Sequence, residues 1–313
     1  MRGWAVPRSE RAQRSVVITG ASRGLGLASA AHLHQQGWTV VGAMRTPDAG
    51  LERIRELAGA RPDDPRLVGV QLDLTDPGSI TGAAKAIEEA VGAPDALVHN
   101  AGITAAGAVE EVELEVWEQL FATNLFGPVA LTRALLPSMR ARGSGRIVVV
   151  SSESGVRGMP VVAAYSAVKG ASERWAESLA NEVAPFGLGV TVLVTGTFDT
   201  DIITDAGAQD LRDFDGPYGP MHERIDRRGR LAIRIAAPPS RFARGLARAL
   251  DDRAPFSRHA VGPDAHALAA FSRILPSRAL HHITRIAMGI PRSGAMRASS
   301  DQTDPTDDRR TSP

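Results

Sequence analysis

Cysteine is absent from this 313-residue chain. That excludes disulfides, thiol catalysis and thiolate-bound metal, and it agrees with a reducing compartment. Aromatic side chains make up only 4% of the residues, so a core has to be built mainly from aliphatics. Neither sign of charge is in excess. A net charge of +1 leaves no electrostatic footprint for nucleic acid. No apolar run reaches the ~18 residues that a membrane-spanning helix needs. The basic start, MRGWAVPRSERAQR, lacks the apolar stretch of a secretory signal. Residues 1–13 are therefore expected to be a flexible leader, and the protein is expected in the cytoplasm. No repeat and no metal-ligand spacing is visible, so no metal site is expected. Lysine and tyrosine are scarce as well, at two each.

One lysine and one tyrosine fall four residues apart, at Tyr165 and Lys169. On a helix this spacing puts both side chains on one face. A free phenol ionises near pH ~10, and a neighbouring ammonium lowers that value towards a useful range. Ser152 lies thirteen residues before Tyr165, just after the apolar run Arg146–Val150. Phenol, ammonium and hydroxyl together suit proton transfer at an alcohol or carbonyl oxygen. A Tyr–Lys pair at this spacing is also a common surface contact, so the rest of the chain decides.

With 43% hydrophobic residues the chain has enough material for a substantial core. SVVIT at 15–19 reads as a buried strand, and it runs directly into GASRGLG and a helical stretch ending at Gly37. Gly20, Gly24 and Gly26 allow a tight turn and close approach of backbone to a ligand, and the helix N-terminus favours phosphate. Further strands are expected at 38–43, 67–72, 96–98, 146–150 and 190–194, with helices between them, and an edge strand at 258–261. Regular alternation of this kind means a doubly wound parallel sheet of about seven strands with helices on both faces. Asp73 and Asn100 sit at strand ends, where open α/β sheets collect ligands, although lone residues there are often turn caps. No acid stands at the end of the second strand. Arg45 is there instead, and Arg23 lies inside the glycine turn. Two guanidinium groups favour the 2′-phosphate of NADP(H) over NAD(H), with ordinary surface arginines as the alternative. A long helix is expected over 114–140, with Asn124 and Gly127 as poor helix formers inside it.

These motifs together resemble the short-chain dehydrogenase/reductase family: TGASRGLG at 19–26, Asp73, NAG at 100–102, Asn124, Ser152 and YSAVK at 165–169. The likeness covers about Ser15 to Ile202 and continues more weakly to about Gly262. It implies that Tyr165 is the general acid/base, that Lys169 lowers its pKa and binds the nicotinamide ribose, that Ser152 orients the substrate oxygen, and that Asn124 supports a proton-relay water. It further implies cofactor contacts at Gly20, Ser22, Arg23, Gly24, Leu25, Gly26, Arg45, Asp73, Leu74, Asn100, Ala101, Gly102, Gly196, Phe198 and Thr200. Two departures stand out. Thr195-Gly196 replaces the family's Pro-Gly, which predicts a less rigid backbone there, and His99 replaces the first Asn of NNAG as a packing or capping variant. The resemblance implies a homodimer or homotetramer paired through the helices around 114–140 and 163–183.

Residues 14–292 are expected to form one Rossmann-like domain. Polar residues 201–234 would be a mobile substrate lid, residues 263–292 a helical extension, and the polar tail 293–313 disordered. The stretch 264–290 is amphipathic with a basic face. Packing on the core is its expected use, with peripheral membrane contact as the alternative. An extended C-terminus resembles the steroid- and retinoid-handling branch, a lean towards a bulky apolar substrate. The expected activity is NADP(H)-dependent interconversion of a carbonyl and an alcohol. The alternatives are a non-enzymatic NADP(H)-binding interaction protein, and an epimerase or dehydratase of the extended branch, whose glycine spacing is TGxxGxxG.

Overall fold

The computed structural model describes residues 14–199, 208–234 and 236–296. The leader 1–13, Thr200, the start of the expected lid at 201–207 and the tail from 297 lie outside the described residues. The first half of the chain runs β1 (Ser15–Thr19), α1 (Gly24–Gln35), β2 (Thr39–Met44), α2 (Pro47–Ala58), β3 (Leu67–Gln71), α3 (Pro77–Val91), β4 (Ala96–His99), β5 (Thr104–Ala106), α4 (Leu114–Phe121) and α5 (Gly127–Arg142). Then come β6 (Gly145–Ser152), α6 (Glu153–Val156), α7 (Ala163–Val183), β7 (Leu188–Thr195), β8 (Ala208–Asp210), α8 (Gly219–Arg234), α9 (Pro239–Leu250), β9 (Phe256–Val261), α10 (Pro263–Ile274) and α11 (Ser277–Met288).

Seven strands form one parallel sheet in the order β3-β2-β1-β4-β6-β7-β9. The inner strands β1, β2, β4, β6 and β7 bury both faces, as period-two alternation between two covering layers requires, while the edge strands β3 and β9 are partly open. In β1, Val17 joins the layer formed with α3, α5 and α7, while Val16 and Ile18 join the layer formed with α1, α2 and α9. The packing is aliphatic, as the shortage of aromatics predicts, and Phe242 is the one aromatic among the largest fully buried side chains. The chain order reverses between β1 and β4, which opens a crevice above their carboxyl ends.

Three expectations change. The helix over 114–140 is broken by a π-helical turn at Ala122–Phe126, so that α4 and α5 are separate elements. The described part of the expected lid, 208–234, is more than a loop: β8 pairs with β5, and α8 takes up Gly219–Arg234 because its His222 and Ile225 side chains are buried. The C-terminal helices hardly pack on the core. α10 buries only Ala265 and α11 only Leu280. Among the described residues no helix is long and apolar enough to cross a membrane.

Candidate functional site

The turn after β1 is a cradle that side chains would fill. Gly20 and Gly24 adopt φ of +67° and +53°, a region that favours glycine. A methyl group on Gly26 would collide with the Gly20 carbonyl and the Asn100 amide. The N-terminus of α1 has no side-chain cap and no acid in its first turn, so its amides and dipole are open to an anion. Asn100 and Ala101 lock this turn from β4. The Asn100 side chain donates to the carbonyls of Thr19 at 3.0 Å and Gly20 at 3.3 Å. The backbone amides of Asn100 and Ala101 donate to Thr19 Oγ1. Ser22, half-buried Arg23 and Leu25 line the same turn. Arg53, which sequence reasoning passed over, donates to the Ser22 carbonyl at 3.3 Å. Arg45 is exposed just past β2, and its charge reaches Asp73. The Asp73 carboxylate is held below its usual range by hydrogen bonds from the Thr75 amide and hydroxyl, at 2.9 and 2.7 Å, with Arg45 adding to the effect. Leu74 is buried where Gly127 packs against it. The shape, the open amides and the cations of this cradle fit a dinucleotide pyrophosphate and adenosine.

Beside the cradle, β6 ends at Ser152 and α7 begins two residues before Tyr165. Ser152 also caps α6, accepting from the Ser154 amide at 3.3 Å. Lys169 is buried, and its Nζ donates to the Val150 carbonyl at 2.9 Å. A Cβ on Gly102 would stand 2.9 Å from Asn124 Oδ1 and 3.8 Å from Lys169 Nζ, so these three groups share one pocket. Asn124 is buried and exchanges two 2.9 Å hydrogen bonds with the backbone of Ile103. The π-helical turn that carries it explains the poor helix formers there, and such turns are frequent at functional sites. Electrostatics correct one expectation. Burial pushes the Tyr165 phenol up to about 12, and its hydrogen bond with Ser152 only partly offsets that. Burial also pulls Lys169 down to about 8. The ammonium lies 5.6 Å from the tyrosine ring centroid and is engaged with the Val150 carbonyl, and desolvation, not Lys169, sets the direction of the phenol's shift.

A short chain dehydrogenase family model matches residues 14–211. The chain is 36% identical over 236 residues to the dehydrogenase/reductase SDR family member 7B of Bos taurus, covering 74% of this chain and 71% of that protein. It is 31% identical to a 3-ketodihydrosphingosine reductase of Bacteroides thetaiotaomicron, covering 88% and 98% of the two chains. A solved short-chain dehydrogenase from Streptomyces avermitilis superposes with a TM-score of 0.73 at 33% identity, over 90% of this chain and all of that one. The chain belongs to the short-chain dehydrogenase/reductase family. It is thus an oxidoreductase of the CH–OH group that works with a nicotinamide cofactor.

Against that family pattern, the departures have local answers. The turn at Thr195-Gly196 is not loosened. Thr195 Oγ1 donates to the Ser151 carbonyl at 2.7 Å, and the Asp264 carboxylate accepts from the Thr197 amide at 2.6 Å. Gly196 is needed there, because a methyl group would strike Asp264. Phe198 is buried edge-to-face against Phe242, so its side chain serves packing. His99 is buried, lies tilted against Trp175 with ring centroids 5.7 Å apart and pairs with the Thr132 hydroxyl at 2.7 Å; burial lowers it to about 3, which fits the packing role. Sequence reasoning missed Glu153, Glu173 and Asp264. Burial, with help from Asp264, raises Glu153 to about 7. Buried Glu173 accepts from Ser151 Oγ at 2.6 Å and pairs with Arg258. It also missed Val161, whose φ of +57° is strained for a β-branched residue and whose carbonyl accepts from Gly107 at 2.7 Å. All depend on partners far away in sequence, and only the fold displays them.

Proposed function

We propose that the chain reduces the carbonyl of a bulky apolar substrate with NADPH, using Tyr165 as the proton donor. The observation that carries this reading is the placement of Ser152, Tyr165, Lys169 and Asn124 beside a glycine cradle on one edge of the sheet. NADPH supplies hydride to the substrate carbon when bound. The Ser152 hydroxyl and the Tyr165 phenol hold the substrate oxygen. Tyr165 gives that oxygen its proton, and the phenolate left behind is balanced by the Lys169 ammonium and regains a proton from water. A phenol kept protonated by burial is suited to donation. Positioned acid catalysis of this kind supplies roughly 10²–10⁴-fold in rate.

Arg23, Arg45 and Arg53 around the adenosine end support NADP(H). No acid stands at the end of β2 to accept from a ribose hydroxyl, and guanidinium grips a phosphate bidentately. Tyr165 packs in a cluster with Ile103, Trp117, Phe121 and Leu125, which supports an apolar substrate. The name of the Bacteroides thetaiotaomicron relative, a 3-ketodihydrosphingosine reductase, points to a keto substrate. Exposed Leu114 and Phe126 around α4 support pairing of two copies there.

The test is reduction of a panel of steroid, retinoid, fatty and small carbonyls with NADPH and with NADH. The expected kcat/KM is about tenfold or more higher with NADPH, and Arg45→Asp should erase the preference, as loss of a charge-assisted phosphate contact does. Equal use of both cofactors by the parent would contradict the NADP(H) reading. A preference untouched by Arg45→Asp would contradict the role of Arg45.

A further inference from the structure

Each helix of the C-terminal pair has an apolar stripe that the core does not use. On α10, opposite buried Ala265, Ala267, Ala270, Phe271 and Ile274 recur at i, i+3, i+4 and i+7. On α11, Ala279, Ile283 and Ile286 recur at i, i+4 and i+7, to one side of buried Leu280. Phe271, Ile274, Ile283 and Ile286 are 49%, 78%, 43% and 59% exposed. Beyond Asp264, the charged side chains of the two helices are all cationic. Between Ala265 and Met296 the sequence has Arg273, Arg278, Arg285 and Arg292 and no Asp or Glu. An apolar stripe flanked by uncompensated arginines is the pattern of a helix lying in an anionic lipid interface. Each helix has 12 residues, about 18 Å long and too short for a ~30 Å hydrocarbon core, so a surface position is the one available. A second copy of this chain would fit the patch poorly, since a two-fold contact sets like charges against each other.

The patch is fastened to the site. Arg157, five residues after Ser152, donates to the Ser277 carbonyl at the start of α11 at 2.8 Å. Arg228 of the lid helix α8 donates to the carbonyls of Ile286 and Ala287 at its end, at 2.8 and 2.7 Å. Asp264, in the first turn of α10, holds the Thr197 amide. We propose that α10 and α11 form a peripheral docking surface for an anionic lipid bilayer, which sets the lid side of the molecule against the membrane. If the apolar carbonyl reading above holds, the substrate enters from the lipid phase.

The experiment is flotation of the full chain, loaded with NADPH, with phosphatidylcholine vesicles and with vesicles that also contain phosphatidylglycerol. Binding is expected to the mixed vesicles and to weaken with salt. Ile283→Asp/Ile286→Asp and Arg278→Glu/Arg292→Glu should each weaken it about tenfold or more. These side chains face solvent, and unchanged circular dichroism and NADPH affinity will establish that the variants fold. Absence of vesicle binding by the parent, equal binding to both vesicle types, or binding unaffected by both double variants would overturn the proposal. So would dissociation of a dimer by Ile283→Asp/Ile286→Asp with no change in flotation. Flotation needs no turnover, so a protein that docks as expected yet reduces no carbonyl would keep the docking surface and refute the reductase reading.

Discussion

Lys169 is a buried cation whose polar contact is the carbonyl of Val150. Burial lowers it to about 8 from its usual 10.5. Below pH 8 the ammonium is charged in the folded and the unfolded chain alike, and the folded state bears the full desolvation cost. Between about pH 8 and 10.5 the unfolded chain binds more protons, so stability rises with pH; above that window the cost is gone. Lys169→Met should therefore be more stable than the parent at pH 7, by roughly 1–3 kcal/mol, with the gap closing towards pH 10.5. Its turnover should be lost. Urea unfolding at the two pH values checks this, and a variant no more stable than the parent at pH 7 would contradict it. At this scale much was legible in advance. Tyr165, Lys169 and Ser152 stand out by residue type and spacing, whereas Asn124 in mid-helix reads as a tolerated kink and takes its expected role from the family resemblance alone. The pKa of Tyr165 was not legible, because desolvation depends on neighbours such as Ala105, Leu120 and Trp117 that only packing supplies.

Strands and helices of the sheet were legible because each buried strand is a short β-branched run and each helix repeats its apolar residues. The expected lid, described over 208–234, was not, since polar residues with glycine and proline read as a loop. What holds it is a long-range pair. His222 is buried on the inner face of α8, with Nε2 2.8 and 2.9 Å from the two oxygens of Glu111. Burial works against the charged carboxylate of Glu111, but hydrogen bonds from His222 and the Ala108 amide outweigh it and hold the group below its usual range. Tyr218 adds a 2.7 Å bond to Glu110. His222→Ala leaves a buried carboxylate without its partner, which costs about 1–3 kcal/mol locally. Amide exchange in residues 219–230 should accelerate by about tenfold to a hundredfold, with the sheet unaffected. Unchanged protection over those residues would show that the pair does not fasten the lid. The turn at Thr195 teaches the same lesson from the other side: a missing proline reads as slack, while a hydroxyl and a distant carboxylate supply the stiffness.

The whole molecule concentrates its chemistry on one edge of the sheet. The glycine cradle follows β1, Asn100 follows β4, Ser152 ends β6 and the Thr195 turn ends β7, so one parallel topology brings these groups to the carboxyl ends of neighbouring strands. That arrangement could be argued from strand alternation alone. The standing of the C-terminal helices could not, because an amphipathic pattern looks the same whether its apolar stripe meets a core or a bilayer. The central claim is that Tyr165 donates the proton in carbonyl reduction. Its most direct test is single-turnover oxidation of bound NADPH by a reactive carbonyl, in parent and Tyr165→Phe protein, with NADPH affinity measured alongside. The account predicts a rate lower by roughly 10²–10⁴ with the Kd for NADPH little changed. A variant that reduces the carbonyl at the parent's rate would contradict it.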